Sequence, residues 1–324
     1  MKLTWLLRLT LVFSLMVILM GAYTRLSDAG LGCPDWPGCY GHIKVPTQSH
    51  EIARAQDNFP HLEIEPAKAW LEMIHRYIAG TLGLLVLSIL VLCLRSGETP
   101  KKLPLFIAVL IVLQAALGMW TVTMKLMPLV VMSHLLGGFT LISLLLLLYL
   151  RTHPLPRIRV SRGARTLAAV GLAALIGQIV LGGWTSSNYA ALACTALPVC
   201  EGDWLANLQW ARAFSPFQGS HPSFEFGVLD YASRMTIHVS HRFGALITGA
   251  ILLSLGVTLL AGDQPAWLRR SGALLICLLL LQIGLGISNV VLHLPLGIAV
   301  SHNGGAALLL LTMVFINYAL WRKA

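Results

Sequence analysis

Four histidines of this 324-residue chain stand inside, or at the mouth of, long apolar runs: His75, His134, His241 and His302. An ionisable side chain is costly there and usually marks a working site. The four come as two pairs with matched surroundings. His75-Arg76 is answered by His241-Arg242, and Ser133-His134 by Ser301-His302. Two imidazoles projecting inward from adjacent helices suit axial ligation of a haem iron. Zinc calls for about four close ligands, whereas each pair supplies two. Copper or another metal fits an apolar helix bundle less naturally.

The pairs differ in their companions. Glu72 stands three residues before His75, and His238 three residues before His241. Positions i and i+3 share a helix face, so each companion lies beside its histidine. A carboxylate there can move a proton or stabilise developing positive charge; a histidine is more passive, or a spare ligand. The first half is therefore expected to be reactive and the second to hold a permanent electron-transfer haem. The plainer reading of Glu72 is an interfacial acid paired with Arg76 or Lys68. Arg76 and Arg242 are expected to meet haem propionates, against simple snorkelling to the interface. Adjacent helix positions point about 100° apart, so neither arginine need face the wall that its histidine faces.

Cysteines add a second matched feature. Cys33 and Cys39 recur as Cys194 and Cys200 at identical spacing, each pair in a loop on the side that holds the acids. In an oxidising periplasmic setting each pair can close a small disulfide, either as a loop staple or, at Cys33–Cys39, as a redox-active pair beside the reactive half. Cys93 and Cys277 read as small packing residues within helices. His42, His50, His61, His221 and His293 read as loop residues, with His293 nearest the second pair, and His153 as a linker residue without a role.

The elements that must position these groups are membrane helices. The chain is 56% apolar and only 11% charged, against about 25% charged for soluble domains. Eight apolar runs, near residues 5–23, 70–94, 103–123, 130–150, 166–184, 236–260, 267–292 and 297–320, approach or exceed the roughly 20 residues that span a bilayer. Backbone groups in lipid must be satisfied within the segment, so each reads as a helix. The chain also repeats itself. The offset between copies runs from 161 residues (Cys33 to Cys194) to 166 (His75 to His241) and 168 (His134 to His302), and Gly21, Gln114 and Gly118 are answered by Gly182, Gln282 and Gly286. The expected fold is all-α: two tandem four-helix bundles, 1–151 and 166–324, joined by a linker at 152–165. Because four is even, the halves should be related by a pseudo-two-fold axis along the membrane normal. All four histidines then fall in the first turn or two of their helices, at one depth near the outer surface.

Net charge is +10, yet fourteen of the 23 Lys and Arg residues, among them Lys2, Arg8, Arg159 and Lys323, fall in the short loops and ends of one side, with Glu98 and Asp263 as its acids. That bias puts both termini in the cytoplasm and calls for no nucleic-acid partner. The first run is longer than a typical secretory signal core and has a partner in the fifth, so it reads as a helix of the bundle. Glycines on the histidine helices, including Gly80, Gly83, Gly137, Gly138, Gly244, Gly249, Gly304 and Gly305, suit close helix packing or room for a flat ligand.

Together these features resemble the haem A synthase family. The resemblance rests on two four-helix repeats with histidines on each even helix, on Glu72-x-x-His75, and on the paired cysteines. It rests also on Tyr23-Thr24-Arg25-Leu26-Ser27 and Cys33-Pro34-Asp35-Trp36-Pro37, and it covers nearly the whole chain. It implies a multi-pass enzyme of the inner (plasma) membrane, an oxidoreductase that turns the C8 methyl of haem O into a formyl group for cytochrome oxidase assembly. The methyl would pass through an alcohol to a hydrated aldehyde. His241 and His302 would bind a haem b cofactor, with Arg242 beside them, and His75, His134 and Arg76 the haem O substrate. Glu72, Cys33 and Cys39 match positions implicated in catalysis; no role carries over to His238. Implied partners are lipid and, by handover of a hydrophobic substrate, a haem O synthase and oxidase assembly factors, with an oligomer open. The competing classes are a dihaem electron carrier resembling a membrane cytochrome b, and a transporter.

Overall fold

The computed structural model describes residues 2–96, 101–153, 155–158 and 160–322. Glu98, Arg159 and Lys323, which enter the charge pattern, lie outside them. Ten helices are described: α1 (Lys2–Leu26), α2 (Ser49–Asn58), α3 (Pro66–Arg95), α4 (Lys102–Thr123), α5 (Pro128–Thr152), α6 (Arg162–Ser187), α7 (Trp210–Ala213), α8 (Tyr231–Ala261), α9 (Ala266–Val291) and α10 (Leu296–Trp321). All but α2 and α7 are long and apolar enough to cross a membrane. These eight cover the eight apolar runs. Each is generally longer than its run because capping residues lie outside the apolar stretch. Pro66 and Pro128 open α3 and α5, where a missing N–H costs nothing. Asp230 caps α8 by accepting from the Ser233 N–H at 2.8 Å, and Ser161 caps α6 through the Ala164 N–H at 3.1 Å.

These early starts change the depth of the histidines. His75 is the tenth residue of α3 counted from Pro66, and His241 the eleventh of α8 from Tyr231, whereas His134 and His302 are each the seventh of α5 and α10. At 1.5 Å per residue His75 lies about 14 Å along its helix, beyond the first two turns. The expectation of a site in the first turn or two fails on α3 and α8 because both helices project past the apolar run into the loop layer.

Helix packing follows closed rings. α1 packs on α3, α3 on α4, α4 on α5 and α5 on α1; α6, α8, α9 and α10 repeat the pattern. Contacts between the groups run through α1–α10, α5–α10 and α5–α6. Among the described residues α3 makes no packing contact with α5, nor α8 with α10. The paired histidines therefore stand on helices diagonal in each ring rather than adjacent ones, with the ring interior between them. The tight turns before α5 and α10 match: Lys125 and Leu126 have positive φ, as do His293 and Leu294, and the Leu126 and Leu294 N–H groups close them at 2.8 and 2.7 Å. His293 is thus an exposed turn residue.

An apolar core fills each ring away from the loops. Leu7, Val86, Ile89, Cys93, Ile107 and Leu145 fill the first, and Leu252, Leu255, Leu275, Leu310, Met313 and Ile316 the second. Cys93 packs as expected, whereas Cys277 is exposed, on an outward face that needs no burial to be comfortable beside lipid. At the end opposite the long loops His153 bonds Thr4 at 3.1 Å, Tyr318 donates to the Leu150 carbonyl at 3.0 Å, and Arg322 reaches the Leu155 carbonyl. Both chain ends and the linker therefore meet at one end of the bundle, and His153 has a structural role there.

Candidate functional site

Each histidine ring lies with its Cε1 edge against a glycine of the neighbouring helix. A Cβ at Gly21 would stand 2.8 Å from His75 Cε1, at Gly182 3.1 Å from His241, at Gly286 3.2 Å from His302, and at Gly118 3.3 Å from His134. Any side chain there would press on the ring, so the four glycines are seats for the four imidazoles. His75 and His134 stand on diagonal helices of the first ring, and His241 and His302 on diagonal helices of the second. The Nδ1 atoms of His75, His134 and His302 are buried without a hydrogen-bond partner. Two imidazoles from opposite walls of a ring, with unsatisfied nitrogen on the rings, fit a planar metal complex held from both faces. The two-per-half arrangement does not fit a four-ligand zinc centre.

Above His75 the loop comes down onto α3. Cys33 and Cys39 form a disulfide, and both residues are fully buried. The Cys33 N–H donates to Glu72 Oε2 at 2.8 Å, and Glu72 Oε1 pairs with Arg76 Nη2. Arg76 Nη1 donates to the carbonyls of Asp35 at 2.9 Å, Pro37 at 3.2 Å and Gly38. Asp35 in turn accepts from the N–H groups of Tyr40 and Gly41 at 2.6 and 2.8 Å. Of the two partners expected for Glu72, Arg76 is the one it has; Lys68 pairs with Glu65 at 2.9 Å. Both carboxylate oxygens face donors, so a buried acid is held in one place beside His75.

The second half reproduces the clamp without the acid. Cys194 and Cys200 form a disulfide. Arg242 Nη1 donates to the carbonyls of Ala196, Pro198 and Val199 at 2.6, 3.4 and 3.2 Å, which are the repeat counterparts of Asp35, Pro37 and Gly38. Its Nη2 reaches the Cys194 carbonyl at 2.7 Å, and its Nε donates to His238 Nε2 at 3.1 Å. His238 therefore occupies Glu72's place against the arginine. The loop is braced by Glu201, which accepts from the Thr195 hydroxyl, the Thr195 N–H at 2.9 Å and the Ala196 N–H at 2.6 Å. Those bonds, the Thr195 hydroxyl first, hold its carboxyl at about 2.

The structure thus gathers Cys33, Cys39, Glu72, Arg76 and His75 at the loop end of the first ring, with His134 across it, and Cys194, Cys200, His238, Arg242, His241 and His302 at the second. Beyond the sequence reading, it gives both arginines partners in the loops. Their guanidiniums are engaged by loop carbonyls, because α3 and α8 extend into the loop layer and carry them past the apolar run. Sequence reasoning missed the glycine seats, although Gly21, Gly118, Gly182 and Gly286 had appeared as repeat anchors. It also missed Gln178, whose Nε2 lies 3.0 Å from His241 Nδ1 and donates to the His241 carbonyl at 2.9 Å, and the role of the repeat anchor Gln282, which donates to the His302 carbonyl at 3.0 Å. Of the glycines weighed between packing and ligand room, Gly137, Gly244 and Gly305 admit glutamine side chains, whereas Gly80, Gly83 and Gly138 face open space.

Among known proteins, the sequence pattern of a family described as cytochrome oxidase assembly protein matches residues 4–314. A haem A synthase of Shewanella oneidensis is 72% identical over 328 residues, covering 100% of this chain and 98% of that protein. Haem A synthases of Agrobacterium fabrum and a Caulobacter species are 25% and 26% identical, covering 94% and 93% of this chain and 86% and 90% of those proteins.

Proposed function

The chain belongs to the cytochrome oxidase assembly protein family, and from that premise we propose that it acts as a haem A synthase, oxidising the C8 methyl of haem O to a formyl group. The observation that carries this reading is the break in symmetry between two otherwise matched histidine pairs. A buried acid stands beside His75, and a histidine stands at its counterpart. A permanent electron carrier has no use for that difference; a site of turnover at a carbon atom does.

In this reading the chain forms two four-helix halves, 1–151 and 166–324, about a pseudo-two-fold axis along the membrane normal. The reciprocal contacts α1–α10 and α5–α6 support it. The membrane is the inner (plasma) membrane with both termini cytoplasmic, which the basic bias of the helix ends supports. His75 and His134 hold haem O as substrate from opposite walls, and His241 and His302 hold haem b. When bound, haem b supplies one-electron redox chemistry. Glu72 provides the fixed acid that oxidation at a methyl carbon calls for, as proton acceptor or as counter-charge. The Cys33–Cys39 bond fixes the loop whose amide holds Glu72, and its burial favours that role over exchange with external thiols. Arg76 and Arg242 place positive charge at the loop end of each ring, where haem propionates would lie. A haem O synthase and oxidase assembly factors are the expected neighbours.

The test is chromatographic analysis of haems from cells that express the chain with a source of haem O. A formyl haem is expected from the native chain. The Glu72→Ala variant should yield none while retaining haem b in the second half. Full product from Glu72→Ala would remove the proposal, and reversible haem redox without product from the native chain would favour the carrier.

A further inference from the structure

Three of the four histidines have the same glutamine–glycine pair beside them, and one does not. On the helix that seats each ring, a glutamine stands four residues before the seat glycine: Gln114 before Gly118, Gln178 before Gly182, Gln282 before Gly286. On the histidine's own helix a glycine follows three residues later, at Gly137, Gly244 and Gly305. The two meet. Each glutamine amide fills the space that a Cβ on that glycine would need. From there Gln178 and Gln282 donate to the backbone carbonyl of the histidine itself, at 2.9 and 3.0 Å, whereas Gln114 fills its gap with Nε2 unpartnered among the described residues. Such a clasp ties the ligand-bearing helix to its neighbour at the level of the ligand, where lipid offers no competing partner.

At His75 both halves of the device are replaced. Val17 stands four residues before Gly21, and Ile78 three residues after His75. An aliphatic side chain has no donor to give, and Ile78 leaves no gap for one. Among the described residues, the side-chain hydrogen bond that links α1 to α3 is Thr24 Oγ1 to the Leu71 carbonyl, a long 3.4 Å contact nearer the loops. The polar groups that flank His75 on α3, Glu72 and Arg76, are bonded instead to each other and to the disulfide loop.

We infer that His75 is the displaceable histidine of the four, and that Gln178 and Gln282 are positioning residues that keep His241 and His302 permanent. The inference rests on the reading of the histidine pairs as haem ligands and deepens it. Two firm imidazoles would leave a bound haem no open coordination position, whereas release of His75 would free one on the wall of the ring that also carries Glu72.

Carbon monoxide tests this without turnover. The full chain, purified in detergent with haem b in both halves and reduced, is titrated with carbon monoxide and followed in the Soret band. The native chain should bind one equivalent per chain, and this uptake should vanish in His134→Ala/His75→Ala, which empties the first half. Supplying the missing clasp as Val17→Gln/Ile78→Gly should cut uptake at subsaturating gas by about tenfold, the weight of one or two buried hydrogen bonds. Should that pair fail to fold, Gln178→Leu and Gln282→Leu decide, since each should make the second-half haem reactive. Equal uptake by both native haems, unchanged uptake in the clasped variant, or an inert second half in both leucine variants would overturn the inference. A native chain that holds no haem, or one that still holds two haems in His241→Ala/His302→Ala, would instead sink the ligand reading beneath it.

Discussion

Adding one methyl group at Gly21 should separate folding from ligand binding. In Gly21→Ala the new Cβ would stand 2.8 Å from His75 Cε1, and ordinary carbon contacts begin near 3.5 Å, so the ring must retreat by about 0.7 Å. In the ligand-free chain the ring turns away at little cost. Alanine for glycine inside a helix is itself worth about 1 kcal/mol of stability. With a planar ligand bound the ring has nowhere to turn, and the overpacking cost of about 1–3 kcal/mol appears as lost affinity of about 5- to 150-fold. The assay is haem b titration into purified chain in a His241→Ala background, so that the first half is read by itself, with thermal unfolding measured on the same samples. Affinity should fall while Tm holds or rises. Gly80→Ala is the control, because nothing stands within 4 Å of a Cβ there. Unchanged first-half affinity in Gly21→Ala would refute the idea that these glycines seat the rings.

Removing the Cys33–Cys39 bond as a double alanine variant releases a short loop, worth about 2 kcal/mol by loop-closure entropy. It should lower formyl haem output in whole cells while second-half haem content stays, and loss of haem from both halves would contradict the assignment of this loop to the first. Arg76→Met strands the buried Glu72 without its counter-charge, a loss of about 3–5 kcal/mol, so Tm should drop sharply. Arg76→Met/Glu72→Gln should recover much of it. Glu201 gives a pH signature. Its carboxyl is held at about 2 in the folded loop, below the roughly 4.3 of an unconstrained glutamate. Its support of the loop is therefore complete above about pH 4.3 and lost as pH falls through about 2. Amide exchange at Thr195 and Ala196 should stay slow from pH 7 to 5 and quicken below 4, after correction for intrinsic exchange, and Glu201→Gln should be fast already at pH 7.

How far the sequence carries depends on which physics is local. Eight spans, the repeat and the four histidines are legible because lipid forces each helix to be continuous and apolar, so a histidine or a glutamate in such a run cannot hide. The disulfides at Cys33–Cys39 and Cys194–Cys200 are legible for a similar reason, since two cysteines six residues apart in a loop have few other partners. The arginines are not. Whether Arg76 meets a ligand or the carbonyls of Asp35, Pro37 and Gly38 depends on how far α3 projects beyond its apolar run, and Pro66 sets that from outside the run. Diagonal placement of the histidine helices is likewise a property of the closed ring, invisible in any one segment. The glutamine–glycine clasp sits between these cases. Its letters repeat in the sequence, but a glutamine in one helix and a glycine in the next show their relation only when the helices are side by side.

The helix pairs that carry the four histidines are alike in three cases and different in one. The α4–α5, α6–α8 and α9–α10 quarters share a seat glycine, a glutamine and the glycine that admits it. The α1–α3 quarter keeps the seat at Gly21 but replaces the other two with Val17 and Ile78, and the same quarter carries Glu72 where α8 carries His238. The departures are not scattered over the first half; they converge around one ring, that of His75. His134, across the bundle, keeps the glutamine and the glycine that admits it, Gln114 against Gly137, although the Gln114 Nε2 has no hydrogen-bond partner among the described residues. On the proposed reading, the first half would need one firm wall to orient its ligand and one wall where chemistry and exchange can occur. The same four-helix ring provides both once a single quarter gives up its clasp and gains an acid. It follows that transplanting the acid alone, as His238→Glu, should not make the second half reactive toward carbon monoxide, because Gln178 still holds His241. His238→Glu combined with Gln178→Val and Gly244→Ile should do so, read by the Soret shift of the second-half haem. Reactivity from the single variant would show that the acid, and not the clasp, decides which ligand leaves.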